Sequence, residues 1–138
     1  MDRMRRLANS TEPLALNLIA RRTFTRPELA AFARFLEARS KQRNLRAFRR
    51  EKDARLLDAT RARLAGKFKA TKALDALLLP ELANADRQLA WLAVSRDILS
   101  REELGALRRL LAFQGTGKRL DALMTAVEIR LERNADAS

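Results

Sequence analysis

The sequence predicts an all-α protein, a compact bundle of about six helices made of two tandem three-helix repeats 75 residues apart. Three observations predict it. The chain of 138 residues has four glycines, three prolines and no tyrosine, and it is rich in Ala, Leu, Arg, Glu and Lys, a mixture that favours helix over sheet. Shifted by 75 positions, residues 7–56 fall on residues 82–131 without a gap, and 16 of the 50 pairs are identical. The same helix-start signal occurs at both copies: Thr25-Arg26-Pro27-Glu28 and Ser100-Arg101-Glu102-Glu103 are both capping boxes.

The elements follow in chain order. The first helix of each unit is expected over about 12–23 and about 81–97, where Leu14, Leu18 and Arg21 match Leu89, Ala93 and Arg96 at helical spacing. Trp91, the sole tryptophan, sits among Leu89, Leu92 and Val94. It reads as a core or inter-repeat residue, with ligand stacking as the alternative. The second helix opens at the capping box, with Phe24 and Leu99 placed as hydrophobic staples. Leu29, Phe32, Phe35 and Leu36, and in the second copy Leu104, Leu107, Leu110 and Leu111, then form core-facing stripes. The third helix is expected over about 40–65 in the first copy and, shorter, over about 117–132 in the second. Its apolar line is Leu45, Phe48, Leu56 and Ala59, and Gly66 ends or bends it. A short helix over 71–79, closed by Pro80, completes a connector of about 66–80 inside a single domain, 1–138. The terminal residues 134–138 should fray.

The net charge of +12 is unevenly spread. Residues 1–75 carry 20 basic and 8 acidic side chains, and residues 76–138 carry 9 of each. The density peaks over 34–72, with 14 basic and 4 acidic residues. Arg49 and Lys52 stand where the second copy has Met124 and Val127, so a stripe that is apolar in one copy is cationic in the other. One reading is a solvated charged helix whose aliphatic stems cover apolar surface. The other is a surface for an anionic partner: Arg43, Arg46, Arg49, Arg50, Lys52, Arg55, Arg61, Arg63, Lys67 and Lys69.

The chain has no histidine, cysteine or tyrosine, which removes the commonest general base, the thiol nucleophile and the imidazole and thiolate metal ligands. Glu28 and Glu103 have capping roles, so no catalytic carboxylate pair is expected. Gln114-Gly115-Thr116-Gly117-Lys118 resembles the end of a phosphate-binding loop. Ala112 stands where the first glycine belongs, Arg119 replaces the hydroxyl residue, and no strand precedes it, so a turn is the reading. No catalytic residue, cofactor or metal is expected. No apolar run approaches the roughly 20 residues of a membrane-spanning helix. The chain as written reads as soluble and cytoplasmic, or periplasmic if a leader has been removed.

The segment around 97–123 resembles the bacterial family called domain of unknown function 2059. Leu99, Ser100, Glu102, Glu103 and Leu104 match its opening, and Gly117, Lys118 and Leu120 its close. Leu110 and Leu111 take its aromatic places, and its turn proline is absent. The first copy matches through Phe24, Thr25, Glu28, Leu29 and Phe35, with Ser40-Lys41 in place of the glycine turn. The resemblance implies an all-helical, usually exported domain with no established activity. The expected function is therefore a non-enzymatic helical interaction or structural module whose basic first repeat contacts an acidic protein or anionic surface. The alternative is a nucleic-acid-binding protein using the basic helix around 43–72.

Overall fold

Side-chain caps decide where most of the helices begin. The computed structural model describes residues 2–42, 45–113 and 118–137, and among them the chain forms nine α-helices and no strand. These are α1 (Asp2–Asn9), α2 (Glu12–Ala20), α3 (Arg26–Ser40), α4 (Ala47–Leu64), α5 (Lys72–Ala76), α6 (Leu78–Ala83), α7 (Arg87–Ser95), α8 (Arg101–Phe113) and α9 (Lys118–Ala137). Thr11, Thr25, Thr71 and Asp86 each accept an amide of the first turn that has no partner within the helix. Ser100 does the same for α8, taking the Glu103 amide at 3.1 Å.

Both expected capping boxes form. The Thr25 amide donates to Glu28 Oε1 at 2.9 Å, and the Ser100 amide to Glu103 Oε1 at 2.9 Å. The staple residues Phe24 and Leu99 are buried. Gly66 ends α4 at φ +74°, a conformation that costs glycine least. Lys67 N–H reaches Ala62 O at 2.8 Å and Gly66 N–H reaches Arg63 O at 3.0 Å, the two bonds of a Schellman ending.

Several boundaries differ from expectation, each for a local reason. An additional helix, α1, precedes the first expected one. The helix expected over 81–97 is two helices, because Asp86 caps a new start at α7. Pro80 does not close a helix; it lies in the first turn of α6, where no intrahelical amide bond is lost. Helix α3 ends at Ser40 and α4 starts at Ala47, so the third helix begins later than residue 40. Helix α9 has 20 residues against 18 in α4 and reaches Ala137, so the second-copy helix is not the shorter one and includes most of the segment expected to fray. The turn expected at 114–117 lies outside the described residues.

Helix packing pairs up at the same offset as the sequence. Helix α3 packs on α4, and 75 residues later α8 packs on α9. Helix α2 on α4 is matched by α7 on α9, and α1 on α3 by α6 on α8. Helix α1 also lies on α7, and α6 on α2. One apolar cluster runs through both halves of the chain. It includes Leu7, Leu14, Leu18, Phe32 and Leu36 from the first half, and Leu82, Leu89, Leu104, Leu107 and Val127 from the second. Each large side chain fully buried there contributes about 1.5–3 kcal/mol.

Two arginines cross between the halves. Arg21, just after α2, donates to Ile98 O at 3.0 Å and grips both oxygens of Glu103 at 2.8 and 2.6 Å. Arg96, just after α7, donates to Thr23 O at 2.8 Å and grips both oxygens of Glu28 at 2.6 and 3.0 Å. Every one of these partners is 75 positions from its counterpart. Each capping-box glutamate therefore closes its own helix start and binds an arginine of the other half. The guanidinium bonds hold Glu103 below the usual carboxylate range and Glu28 at about 2.

Arg96→Ala leaves Glu28 partly buried without this clamp, and it should cost about 2–4 kcal/mol in urea unfolding. Arg34→Ala, at an exposed site, should stay within about 0.5 kcal/mol. A depressed folded-state pKa gives stability that is present above the ordinary value of 4.5 and fades as pH falls toward about 2. Stability measured in that acid window should drop steeply for the native chain and less steeply for Glu28→Gln.

Candidate anion-binding surface

Of the ten basic residues singled out in the sequence, nine lie among the described residues, and their surroundings differ. Arg43 lies outside the described residues. Arg46 immediately precedes α4, and Arg49 and Arg50 lie on its first turn. All three side chains are exposed. Arg46 and Arg49 make no ion pair among the described residues, and Arg50 donates only to Gln42 O, at 3.0 Å. Phe48 stands among them 60% exposed, so it does not belong to the apolar line assigned to it. Leu123, 75 positions on, is buried.

Along the middle of α4 the charges are engaged within the fold. The half-buried Lys52 ammonium donates to Ala8 O at 3.0 Å and also to Ser10 O. It thereby caps the C-terminal end of α1, where unpaired carbonyls and the helix dipole favour a cation. Burial pulls its pKa down, against the opposing pull of Asp53. Arg55 forms a forked pair with Glu12, with contacts of 2.7 to 3.0 Å, and Arg61 pairs with Glu37. Arg63 is half-buried, with its Nε enclosed and without a hydrogen-bond partner among the described residues. Past the Schellman turn, Lys67 and Lys69 are exposed.

Beneath Lys52 lies a charge pair that the sequence reading missed. Arg39 Nε stands 2.9 Å from Asp53 Oδ2, and the Asp53 side chain is 2% exposed. Burial pushes the Asp53 carboxyl up, while Arg39 and Lys52 pull it back down. Seventy-five positions on, Glu128 sits near the surface, 3.4 Å from Arg108. Among the described residues no three acidic side chains converge on a metal-sized site.

A basic furrow beside α1 was also not anticipated. Between α1 and α7 is a cleft of about 670 Å³ lined by Arg3, Arg6, Asp86, Arg87, Trp91 and Leu123 among others. Trp91 is 52% exposed, which overturns its reading as a core residue. Arg6 and Asp86, 2.8 Å apart, also line a second hollow of about 590 Å³. Arg5 and Asn9 join that hollow to a third of about 340 Å³, which reaches Arg39 and Arg49. The signal was present in the run of arginines at 3, 5 and 6, but no helix had been assigned there to place them.

Among the described residues no helix is long and apolar enough to cross a membrane. No protein-family model matches the chain, and neither a curated protein nor a solved structure matches it.

The two kinds of basic residue should separate by stability. Lys52→Gln removes a charged cap and should cost about 1.5–3 kcal/mol. Arg49→Gln should leave thermal unfolding within about 0.5 kcal/mol of the native chain. Equal effects from the two substitutions would mean that Lys52 is no more a part of the fold than Arg49.

Proposed function

We propose that this chain is a non-enzymatic helical interaction module whose first half contacts an acidic protein partner through the start of α4. The observation that carries the reading is the group of Arg46, Arg49 and Arg50 around the exposed Phe48. These cations reach solvent with little competition from acids, unlike Lys52, Arg55 and Arg61, which hold the fold together. An exposed aromatic side chain within two residues of three exposed arginines supplies both apolar area and charge, the usual makings of an interface anchor. Lys67 and Lys69 extend the same polarity at the far end of α4.

The scaffold in this reading is two copies of one unit related by an approximate two-fold axis. The paired helix contacts and the reciprocal Arg21 and Arg96 clamps support it. Four helices per copy and the connector α5 account for the nine helices of the described residues better than six would. A kinship with the domain of unknown function 2059 family is part of the same proposal, resting on the capping-box segments alone. The lack of histidine, cysteine and tyrosine supports a non-enzymatic role.

Nucleic acid as the partner of α4 is the second reading, favoured by Phe48 as a platform for a base. Fluorescence anisotropy with a labelled poly-glutamate peptide and a labelled DNA duplex, at about 50 mM salt, separates the two. The triple variant Arg46→Gln, Arg49→Gln, Arg50→Gln should weaken peptide binding tenfold or more with an unchanged unfolding curve. Peptide affinity that survives the triple variant would remove α4 as the site. Selective loss of duplex binding would put nucleic acid in place of the acidic protein.

A further inference from the structure

We propose that the cleft between α1 and α7 is a binding site for single-stranded nucleic acid, with a base stacked on Trp91 and phosphates held by Arg3, Arg6 and Arg87. The cleft itself contains none of Arg46, Arg49 and Arg50, so the two surfaces can be tested separately.

The cleft holds three guanidinium groups and one carboxylate, Asp86, beside a half-exposed indole. Its volume of about 670 Å³ falls within the range of roughly 300–1,000 Å³ typical of small-ligand sites. Arg87 is exposed and has no ion-pair partner among the described residues. Arg3 and Arg6 are each held by one carboxylate, Glu28 and Asp86, at 2.8 Å. A guanidinium carries five N–H donors, so one such bond fixes its position and leaves others for a ligand.

The scaffold does not require these residues. Seventy-five positions away from Arg3, Arg6, Arg87 and Trp91 the chain has Leu78, Glu81, Glu12 and Leu16. The corresponding contact is made there by Glu81 and Thr11, at 2.8 Å, in place of Arg6 and Asp86. The same packing of a short helix on its neighbour is thus achieved with an acidic, tryptophan-free lining. Three basic residues and the sole tryptophan have accumulated on one side only.

Two neighbouring hollows share lining with the cleft: the second has Arg6 and Asp86 in common with it, and the third has Arg5 and Asn9 in common with the second and reaches Arg39 and Arg49. A charged track that starts at an aromatic platform suits a flexible polyanion with planar side groups. An acidic peptide meets the charge but offers no planar face to Trp91. A duplex keeps its bases stacked inside, where an indole within a cleft does not reach them.

Trp91 is the sole tryptophan, so its emission reports directly on this site. Titrating the full chain with a short oligothymidylate at low salt should quench it, and the quenching should weaken steeply as salt rises. A duplex of equal length and heparin should leave it largely unchanged. Trp91→Leu, which places there the residue type found at position 16, should weaken a labelled oligothymidylate roughly tenfold or more by anisotropy. Arg87→Gln should lower the slope of log affinity against log salt by about 0.7. No quenching by the oligothymidylate, or equal quenching by heparin or duplex, overturns the proposal. If oligothymidylate quenches Trp91 in both the native chain and the α4 triple variant, the cleft stands whatever becomes of the α4 surface.

Discussion

A capping-box glutamate normally completes a local structure: its carboxylate takes the amide of the residue that caps the helix. Here Glu28 and Glu103 do that and also bind an arginine from the other half of the chain. Those arginines sit just past the ends of α2 and α7, so each bond joins one helix end to a distant helix start. Taking charges out of water is costly unless their remaining valences are filled. Arg21 and Arg96 meet that condition with a backbone carbonyl each, Ile98 O and Thr23 O, in addition to the carboxylates. The staple residues Phe24 and Leu99 are buried next to these contacts, so polar and apolar terms act at the same joint. Starting α3 and α8 is thereby coupled to docking the halves, and either alone leaves a carboxylate or a guanidinium without its partner.

The differences between matched positions follow from what each side must satisfy. Val127 is buried, whereas Lys52 occupies the same place with its stem and carries its ammonium out to the carbonyls of Ala8 and Ser10. Arg55 finds Glu12, but its counterpart Arg130 faces a chain with Arg87 in the place of Glu12 and bonds instead to Ser95 O. One exchange of acid for base therefore redirects an arginine at α9 and frees Arg87 beside the cleft. The excess charge of the first half is partly structural for the same reason. Lys52, Arg55 and Arg61 stabilise helix packing, and Arg46 and Arg49 do not.

The features legible in the sequence were those with a local cause. Capping boxes, the helix stop at Gly66 and the stripes at Leu29, Phe32 and Leu36 depend on neighbours within a few residues, and all took their expected form. Periodicity shows which side of a helix is apolar, but not whether another element covers it. Phe48 and Trp91 both lie on apolar-looking lines, and both are more than half exposed because no helix is laid over them. The converse holds for Arg39 and Asp53: nothing local marks them as buried, and they become so only when α3 and α4 meet. The break between α6 and α7 was hidden because Asp86 resembled a surface charge inside a helical run, and its cap acts on an amide only two residues on. Helix α1 went unread because it is only eight residues long and holds three arginines, although Met4, Leu7 and Ala8 stand at helical spacing on one face. Its two deeply buried residues, Leu7 and Ala8, acquire meaning from the distant surfaces they pack on.

Helix α1 links the basic surfaces to the fold. Lys52 holds its C-terminal carbonyls and Arg39 donates to Asn9 Oδ1 at 3.0 Å. Arg3 and Arg6 tie its outer face to Glu28 and Asp86. An eight-residue helix is marginal in isolation, so these bonds together with the burial of Leu7 and Ala8 keep it in place. The same bonds fix the guanidinium groups that line the furrow before any ligand arrives. Ordering flexible side chains on binding costs roughly 0.5–1.5 kcal/mol each, and residues already held by the fold avoid much of that cost. Glu28 therefore acts in two places at once: it receives Arg96 across the halves and Arg3 from the wall of the cleft. The interaction that joins the two halves is in this way continuous with the one that shapes the cleft.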